Sequence, residues 1–552
     1  MLSQITPRER RVAQVFFLVL AALKVAYIFR FRFDSDEAQH LHVVWGWTQG
    51  LLQYRDLFDN HMPLFHMLCA PLLALFPERP DILLFMRAAM LPLFAFSLWC
   101  TWKIGSVVFS PRVGMWAAIF AGLWRGFFFC STEFRTDDLL TAVWMGTLVI
   151  AVCGKWSMRR AFAFGLALGM CAGVSLKTTL LAPTLFLAGV GVYFFAKNGR
   201  EPVDWNVLVR RGAALGAGFA IVPGIIVTFF IARGAWTPFL YGVLGHNVIP
   251  DVDRKNAPLW WMLFFPLSLP FIWLGARWLA RLPADFAITR RRVFIFLVAA
   301  FYFSLLQSFW TLITRQDYLP YHPVVFVMLT PVLLAIAQWL VALARWPQIA
   351  APILIGAVEI ALVLLGRPLT VDGTRRGIEL VRDTLRLTAP QERVMDFKGE
   401  TIYRHRAFFY VLEPFTFVRI RRKIIPDTIP EALVKNNVLV TVETTDRLPS
   451  QAGEFIQQHY LPVSSLRVAG QMLRPAGSEP VKFEIIVPAE YSIVAEKGEV
   501  AGLLDGSPWT GSRQLSTGLH EWRSTGETSS VAVLWTRAVE RGFSPFGHAA
   551  KR

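Results

Sequence analysis

From Arg11 to about Gly366, one apolar run of helix-spanning length follows another. A bilayer core needs about 20 apolar residues per helix. A chain that supplies them repeatedly is constrained to a polytopic membrane fold, because only helices and closed barrels satisfy their backbone in lipid. Spans fall near 11–29, 82–108, 113–130, 138–154, 161–175, 178–196, 211–232, 259–280, 293–312, 320–343 and 349–366, eleven in all. The stretch 161–196 would overshoot a bilayer as one helix, so the polar Ser175-Leu176-Lys177-Thr178-Thr179 divides it. The segment 61–77 is too short and proline-rich to span and is expected to lie at the interface or re-enter. Composition agrees: charged residues make up 17%, against about 25% in soluble domains. A disordered chain is excluded and an ordinary soluble enzyme is disfavoured.

The net charge is +17, with 56 Lys and Arg against 39 Asp and Glu. Placing the N-terminus, with Arg8, Arg10 and Arg11, in the cytoplasm and alternating sides puts the cations on one face. The inner loops then hold Arg112; Lys155, Arg159 and Arg160; Lys197, Arg200, Arg210 and Arg211; Arg281 and Arg290–Arg292; and Arg345. The basic excess is mostly a record of orientation, and no aromatic-basic signature of nucleic-acid binding accompanies it. The five cysteines form no CxxC pair, so neither a zinc site nor a disulfide framework is expected. The first helix lacks a small-residue cleavage site and reads as an uncleaved span. No outer loop carries an Asn-x-Ser/Thr sequon and the tail has no ER-retention signal, which suggests a bacterial inner membrane.

The division into domains is 1–366, membrane-embedded, and 367–552, an extracytoplasmic tail on the periplasmic side. Within the tail, 370–475 reads as an α/β part and 478–540 as β-sandwich-like. Arg375 to Thr388 and Gly453 to Tyr460 have helical spacing, while Val438–Val442, Phe483–Val487 and Val531–Trp535 are β-like. Leu504 to Trp509, centred on Asp505-Gly506, has turn chemistry. A packing or lid role suits such a tail; a sugar-binding sandwich is the alternative.

Unusual residues gather on the outer loops. Just beyond the first span stands Phe33-Asp34-Ser35-Asp36-Glu37-Ala38-Gln39-His40, three carboxylates within four residues. Clustered carboxylates raise one another's pKa, which suits a general base or a metal ligand. A solvated helix end is the bland alternative. Further along are Phe134-Arg135-Thr136-Asp137-Asp138, Lys177 at the helix break, Gly245-His246-Asn247, and Arg315-Gln316-Asp317-Tyr318-Leu319-Pro320. Charges this close to hydrocarbon are costly, so function is the default reading. Structural alternatives are an Arg135–Asp137 helix-ending pair, Lys177 snorkelling to a headgroup, an Arg315–Asp317 loop pair and a structural His246. His40, His42, His61 and His66 stand out among ten histidines. A zinc site among them would need convergence that spacing does not establish.

The first outer loop, with Asp36-Glu37-Ala38, then Tyr54-Arg55-Asp56, then Pro63-Leu64, resembles the GT-C-type polyprenyl-phosphate-dependent glycosyltransferases. The protein O-mannosyltransferase and aminoarabinose-transferase branch is the nearest in pattern, and the resemblance covers roughly residues 10–345. It implies an all-α polytopic domain with an outer-side tail, and transfer of a sugar from a lipid phosphate to an outer-side acceptor. It implies Asp36 as catalytic base with Glu37 beside it, and Asp137 as second acid. It implies Lys177 and Arg315 as donor-phosphate ligands, with Tyr318 in the same motif, and more weakly a role for His246. One departure stands out. Asn60-His61-Met62-Pro63-Leu64 replaces the Glu-Lys-Pro-Pro-Leu of aminoarabinose transferases, losing a carboxylate and a lysine. His61 is the weaker substitute cation. A divalent cation is left open, and no other cofactor is implied.

The physical logic stands beside the resemblance. Direct displacement at a sugar carbon needs a base at the acceptor hydroxyl and cations on the leaving phosphate. The outer side offers Asp36, Glu37, Asp137 and Asp138 for the first, and Arg135, Lys177 and Arg315 for the second. The expected activity is inverting glycosyl transfer to a lipid, glycan or protein hydroxyl. A transporter or flippase would place its polar residues at the bilayer midplane, and a sensor with a ligand-binding tail would tolerate loss of the first outer loop.

Overall fold

The computed structural model describes residues 5–195, 204–249, 258–310, 312–444, 447–474, 479–525 and 530–546. Lys197 and Arg200 of the inner-loop series lie outside them. The chain divides into two compact units. The first holds Met1–Phe33, Asn60–Pro71 and Leu83–Gly373; the second holds Asp34–Asp59, Leu72–Ile82 and Thr374–Arg552.

In chain order the helices begin with α1 (Pro7–Ile28), α2 (Ser35–Thr48, in the second unit), α3 (Leu64–Leu73), α4 (Ile82–Ala88) and α5 (Leu91–Val108). Next come α6 (Pro111–Leu123), α7 (Arg125–Cys130), α8 (Thr136–Val152), α9 (Met158–Val174), α10 (Thr178–Phe195) and α11 (Trp205–Ala232). The first unit closes with α12 (Trp236–Leu240), α13 (Pro258–Arg281), α14 (Phe286–Phe309), α15 (His322–Leu343) and α16 (Ala350–Gly366). Among the described residues, seven spans are long and apolar enough to cross a membrane: α1, α4 with α5, α10, α11, α13, α14 and α15. The other windows read as spans fold as α6 with α7, α8, α9 and α16, each shorter than 18 residues. The proline-rich 61–77 yields only the ten-residue α3.

Within this unit α6 is buried along its whole length from Arg112 to Leu123. Its Arg112 Nε donates to Glu9 Oε1 at 2.7 Å, and Trp116 Nε1 donates to the same oxygen at 2.9 Å. Arg112 therefore pairs inside the protein. Helices α9 and α11 meet across glycines. A Cβ at Gly165 would lie 2.0 Å from the Leu215 carbonyl, and one at Gly169 would lie 2.4 Å from that of Phe219. Apolar lipid gives helices no hydrophobic reason to associate, so such close backbone packing supplies the attraction.

The second unit adds α17 (Arg375–Leu387), α18 (Pro414–Arg421), α19 (Ile429–Lys435), α20 (Ser450–His459) and α21 (Thr536–Glu540). Its strands are β1 (Arg393–Met395), β2 (His405–Arg406), β3 (Val440–Val442), β4 (Tyr460–Pro462), β5 (Leu466–Leu473) and β6 (Val481–Ile485). They continue with β7 (Ala489–Ala495), β8 (Gly502–Leu504), β9 (Ser507–Pro508), β10 (Ser512–Leu515), β11 (Gly518–Ser524) and β12 (Val531–Trp535). One sheet runs β10-β7-β12-β5-β3-β1-β2 with β4 beside β5; a second runs β6-β11-β8-β9. Strand β5, from the α/β part, pairs antiparallel with β12, from the sandwich-like part. The two sequence-defined parts thus share one sheet and one core, in which Val394, Val440, Val468 and Val533 are buried. The predicted turn is present: Asp505 and Gly506 have φ of 51° and 78° and join β8 to β9, the positive pair that a two-residue hairpin requires.

Candidate active site

In the first unit, the helix break of the sequence becomes a charge cluster. Helix α9 stops at Val174, where Ser175 is extended, and the turn before α10 carries Lys177. Its Nζ reaches Asp137 Oδ1 and lies 2.6 Å from Asp317 Oδ1. Asp137 stands in the first turn of α8, and its Oδ2 accepts from Arg135 Nε at 3.3 Å. Side-chain exposure is 10% for Lys177, 2% for Asp137 and 3% for Asp317, so the charges are withdrawn from solvent and neutralise one another. The Arg135–Asp137 pair exists, but as one edge of this cluster. Lys177 does not snorkel; two carboxylates hold it.

Asp317 belongs to the 3-10 turn Arg315–Tyr318. Its Oδ2 accepts from Thr314 N at 2.5 Å and Thr314 Oγ1 at 2.9 Å, while Tyr302 donates to its carbonyl at 2.8 Å. The turn is thereby pinned with one carboxylate oxygen aimed at Lys177. Asp317 pairs with Lys177 in place of the neighbouring Arg315. The Arg315 side chain is exposed and makes no ion pair among the described residues. Tyr318 accepts from Gln307 Nε2 at 2.5 Å and packs beside Tyr321 and His322. Gln316 Nε2 donates to the buried Glu133 Oε2 at 2.8 Å, tying the second acidic loop to the same turn.

Asp138 is also buried, and its Oδ2 has no hydrogen-bond partner among the described residues. Lys24, a lysine inside α1, is buried as well. Lys24 Nζ donates to Phe128 O at 2.7 Å and to Ser131 Oγ and Thr132 Oγ1 at 2.8 Å each, and lies 4.2 Å from the Phe94 ring centre. It fixes the turn leading into Glu133, Arg135 and Asp137. Lys24, Glu133 and Asp317 were not among the expected site residues. A lysine within an otherwise apolar run was the available signal for the first. His246 is buried after a π-turn over Tyr241–Gly245. Beside it Asn247 Nδ2 donates to Asn60 O at 2.8 Å, so the His246 loop is joined to the segment carrying His61.

In the second unit, the Asp36-Glu37 pair opens α2. Asp34 is the N-cap and accepts from Asp36 N at 3.1 Å, while Glu37 accepts from Asp34 N at 2.8 Å. This is a capping box. The fully buried Glu37 thus holds the helix start, and Asp36 projects from its first turn with its side chain 25% exposed. Asp36 Oδ1 lies 2.6 Å from Nζ of Lys398 in the tail. The Tyr54-Arg55-Asp56 motif makes a turn: Tyr54 has φ of 74°, and Asp56 accepts from Leu52 N at 2.8 Å. His42 Nδ1 donates to Ile402 O at 2.8 Å, and the ring stacks on Trp45. Among the described residues no three His, Cys, Asp or Glu side chains converge as a metal site requires.

No protein-family model matches the sequence, and no curated protein matches it. Solved structures do match. The apo crystal structure of ArnT from Cupriavidus metallidurans superposes with a TM-score of 0.57 over 83% of this chain and 98% of that one, at 14% identity. By fold, the chain is ArnT-like. A second crystal structure of that protein, bound to undecaprenyl phosphate, gives 0.55 over 82% and 97%, also at 14% identity. The likeness is one of fold: a mostly helical unit with apolar helices of membrane-spanning length, and a β-rich C-terminal part.

Proposed function

We propose that this protein is an inverting glycosyltransferase that moves a sugar from a polyprenyl phosphate to an acceptor hydroxyl on the periplasmic side of a bacterial inner membrane. The observation that carries this reading is the ArnT-like fold over nearly the whole of that protein's length. The distribution of arginine and lysine among the loops supports the orientation.

In the proposed reaction Asp36 takes the proton of the acceptor hydroxyl. The acceptor oxygen forms a bond to the sugar's anomeric carbon as the bond from that carbon to the phosphate oxygen breaks, and the bonding pair leaves with the polyprenyl phosphate. A phosphate leaving group has a low pKa, so no general acid is needed. Arg315, exposed and unpaired among the described residues, is assigned to the donor phosphate, where its planar fork suits two oxygens. Lys177 is assigned there too. The phosphate then competes with Asp137 and Asp317 for the ammonium, and those carboxylates keep the lysine charged until the donor arrives. Glu37 holds the start of α2 and so the direction of Asp36. Asp137 tunes Lys177, while Asp138, His61 and His246 remain secondary candidates. The acceptor is a lipid, glycan or protein hydroxyl.

The test is to incubate the purified protein with undecaprenyl-phosphate-linked mannose, glucose, galactose, ribose, arabinose and 4-aminoarabinose. Release of free undecaprenyl phosphate, by transfer or by hydrolysis, is measured. Consumption of one donor well above the others is expected; consumption of none contradicts the reading.

A further inference from the structure

The loop that delivers Lys398 to Asp36 is built more tightly than a surface loop requires. The two residues are 362 positions apart but belong to one compact unit. Lys398 is buried, its side chain 10% exposed. Burying an ammonium is costly unless it meets a charge in good geometry, and here it meets Asp36 at 2.6 Å. Behind it, the fully buried Asp396 accepts from Gly399 N at 2.9 Å, Thr401 N at 3.1 Å, Thr401 Oγ1 at 2.7 Å and Arg406 Nε at 2.7 Å. Arg406 also donates to the carbonyls of Asp396 and Phe397, at 2.8 Å each. Glu400 Oε2 accepts from Lys398 N at 2.7 Å.

The same loop is pressed onto the helix that carries Asp36. Gly399 has φ of 96°, and a Cβ there would lie 2.5 Å from His42 Cβ on α2. Ile402 is β-branched yet has φ of 58°, and its carbonyl meets His42 Nδ1. A left-handed conformation in such a residue is unfavourable and persists only where its surroundings over-determine it. Strain of this kind collects where one side chain must be aimed accurately. The side chain this loop aims at α2 is Lys398.

We propose that Lys398 is a positioning residue for glycosyl transfer: it holds the Asp36 carboxylate by one oxygen and so sets the direction in which it meets the acceptor hydroxyl. The proposal rests on the reading of Asp36 as the base. It makes the tail part of the catalytic machinery rather than a cover.

The experiment uses the full-length protein and the fastest of the undecaprenyl-phosphate sugars named above. Turnover is compared for wild type, Asp36→Asn, Lys398→Met and Lys398→Arg, with melting midpoints recorded for each. Lys398→Met is expected to lower kcat about 10- to 100-fold, the cost of misplacing a reacting group. KM for the donor should stay within about twofold, because ground-state binding is untouched. Lys398→Arg is expected to recover most of kcat, which a merely structural role for the loop would not produce. Should Lys398→Met fail to accumulate, Lys398→Gln takes its place with the same expectation. Wild-type kcat in the uncharged variant beside an inactive Asp36→Asn overturns the proposal and leaves the base intact. Wild-type turnover in Asp36→Asn removes the base itself, and the proposal with it.

Discussion

Lys177 Nζ lies 2.6 Å from Asp317 Oδ1, joining the break between α9 and α10 to the turn before α15. With Asp137 on its other side, the lysine is the neutralising centre of a buried cluster. Removing one partner of a buried pair leaves uncompensated charge and costs about 3–5 kcal/mol. Lys177→Met is therefore expected to lower the thermal melting midpoint of the purified protein and to abolish transfer. Lys177→Met/Asp317→Asn, which leaves Asp137 paired with Arg135, should regain stability but not activity. A double variant no more stable than the single one contradicts this account of the cluster.

Lys24 satisfies three acceptors at the end of α7 from within α1. Lys24→Met leaves those oxygens buried, at a cost of about 1–3 kcal/mol for an unsatisfied polar group. The expected outcome is a lower melting midpoint and a drop in turnover, because the turn leading to Asp137 loses its anchor. Wild-type values for both would show that the lysine is dispensable.

Helices α9 and α11 touch where Gly165 and Gly169 lack side chains. Gly169→Leu is expected to force the pair apart and cost about 1–3 kcal/mol, the range for an overpacked core. Melting of the variant beside Gly189→Leu, where a Cβ meets nothing within 4 Å, checks the assignment.

On the smaller sheet of the tail, His520 Nδ1 lies 2.8 Å from Asp505 Oδ2. Burial works to lower His520, but its bonds to Asp505 and the Ser516 carbonyl leave it above the ordinary 6.5. Burial likewise works to raise Asp505, which His520 and the Glu521 amide hold below 3.8. A raised histidine contributes stability that is complete below its unfolded value and lost as pH rises through the folded one. A depressed carboxylate contributes stability that is lost as pH falls through its folded value. The β8–β9 turn should thus be best protected between about pH 4 and pH 6.5 and less protected at pH 8. Hydrogen exchange over 502–524 at pH 5.5 and pH 8, corrected for intrinsic rates, tests this, and His520→Ala should remove the difference.

Much of the architecture was legible because membrane helices need long uniform runs, and the amphipathic Arg375–Leu387 and hairpin residues Asp505-Gly506 carry local signals. The loop sequences also marked Asp36, Asp137 and Lys177 as unusual. Their partners were not legible. Asp317 reads as a neighbour of Arg315 until the 3-10 turn aims its carboxylate at Lys177. Glu37 reads as chemistry until the capping box claims it. Lys398 stands 362 positions from Asp36, and nothing in its local sequence marks it. Pairings closed by tertiary structure leave no periodic trace, and the strain at Ile402 shows only in the backbone.

The central claim is glycosyl transfer dependent on Asp36, and the most direct measurement is donor consumption by wild type and Asp36→Asn side by side. The wild-type protein should consume one undecaprenyl-phosphate sugar. The variant, folded and expressed at the same level, should be slower by about 100-fold or more, as expected for loss of a general base. Equal rates in the two proteins would contradict the account.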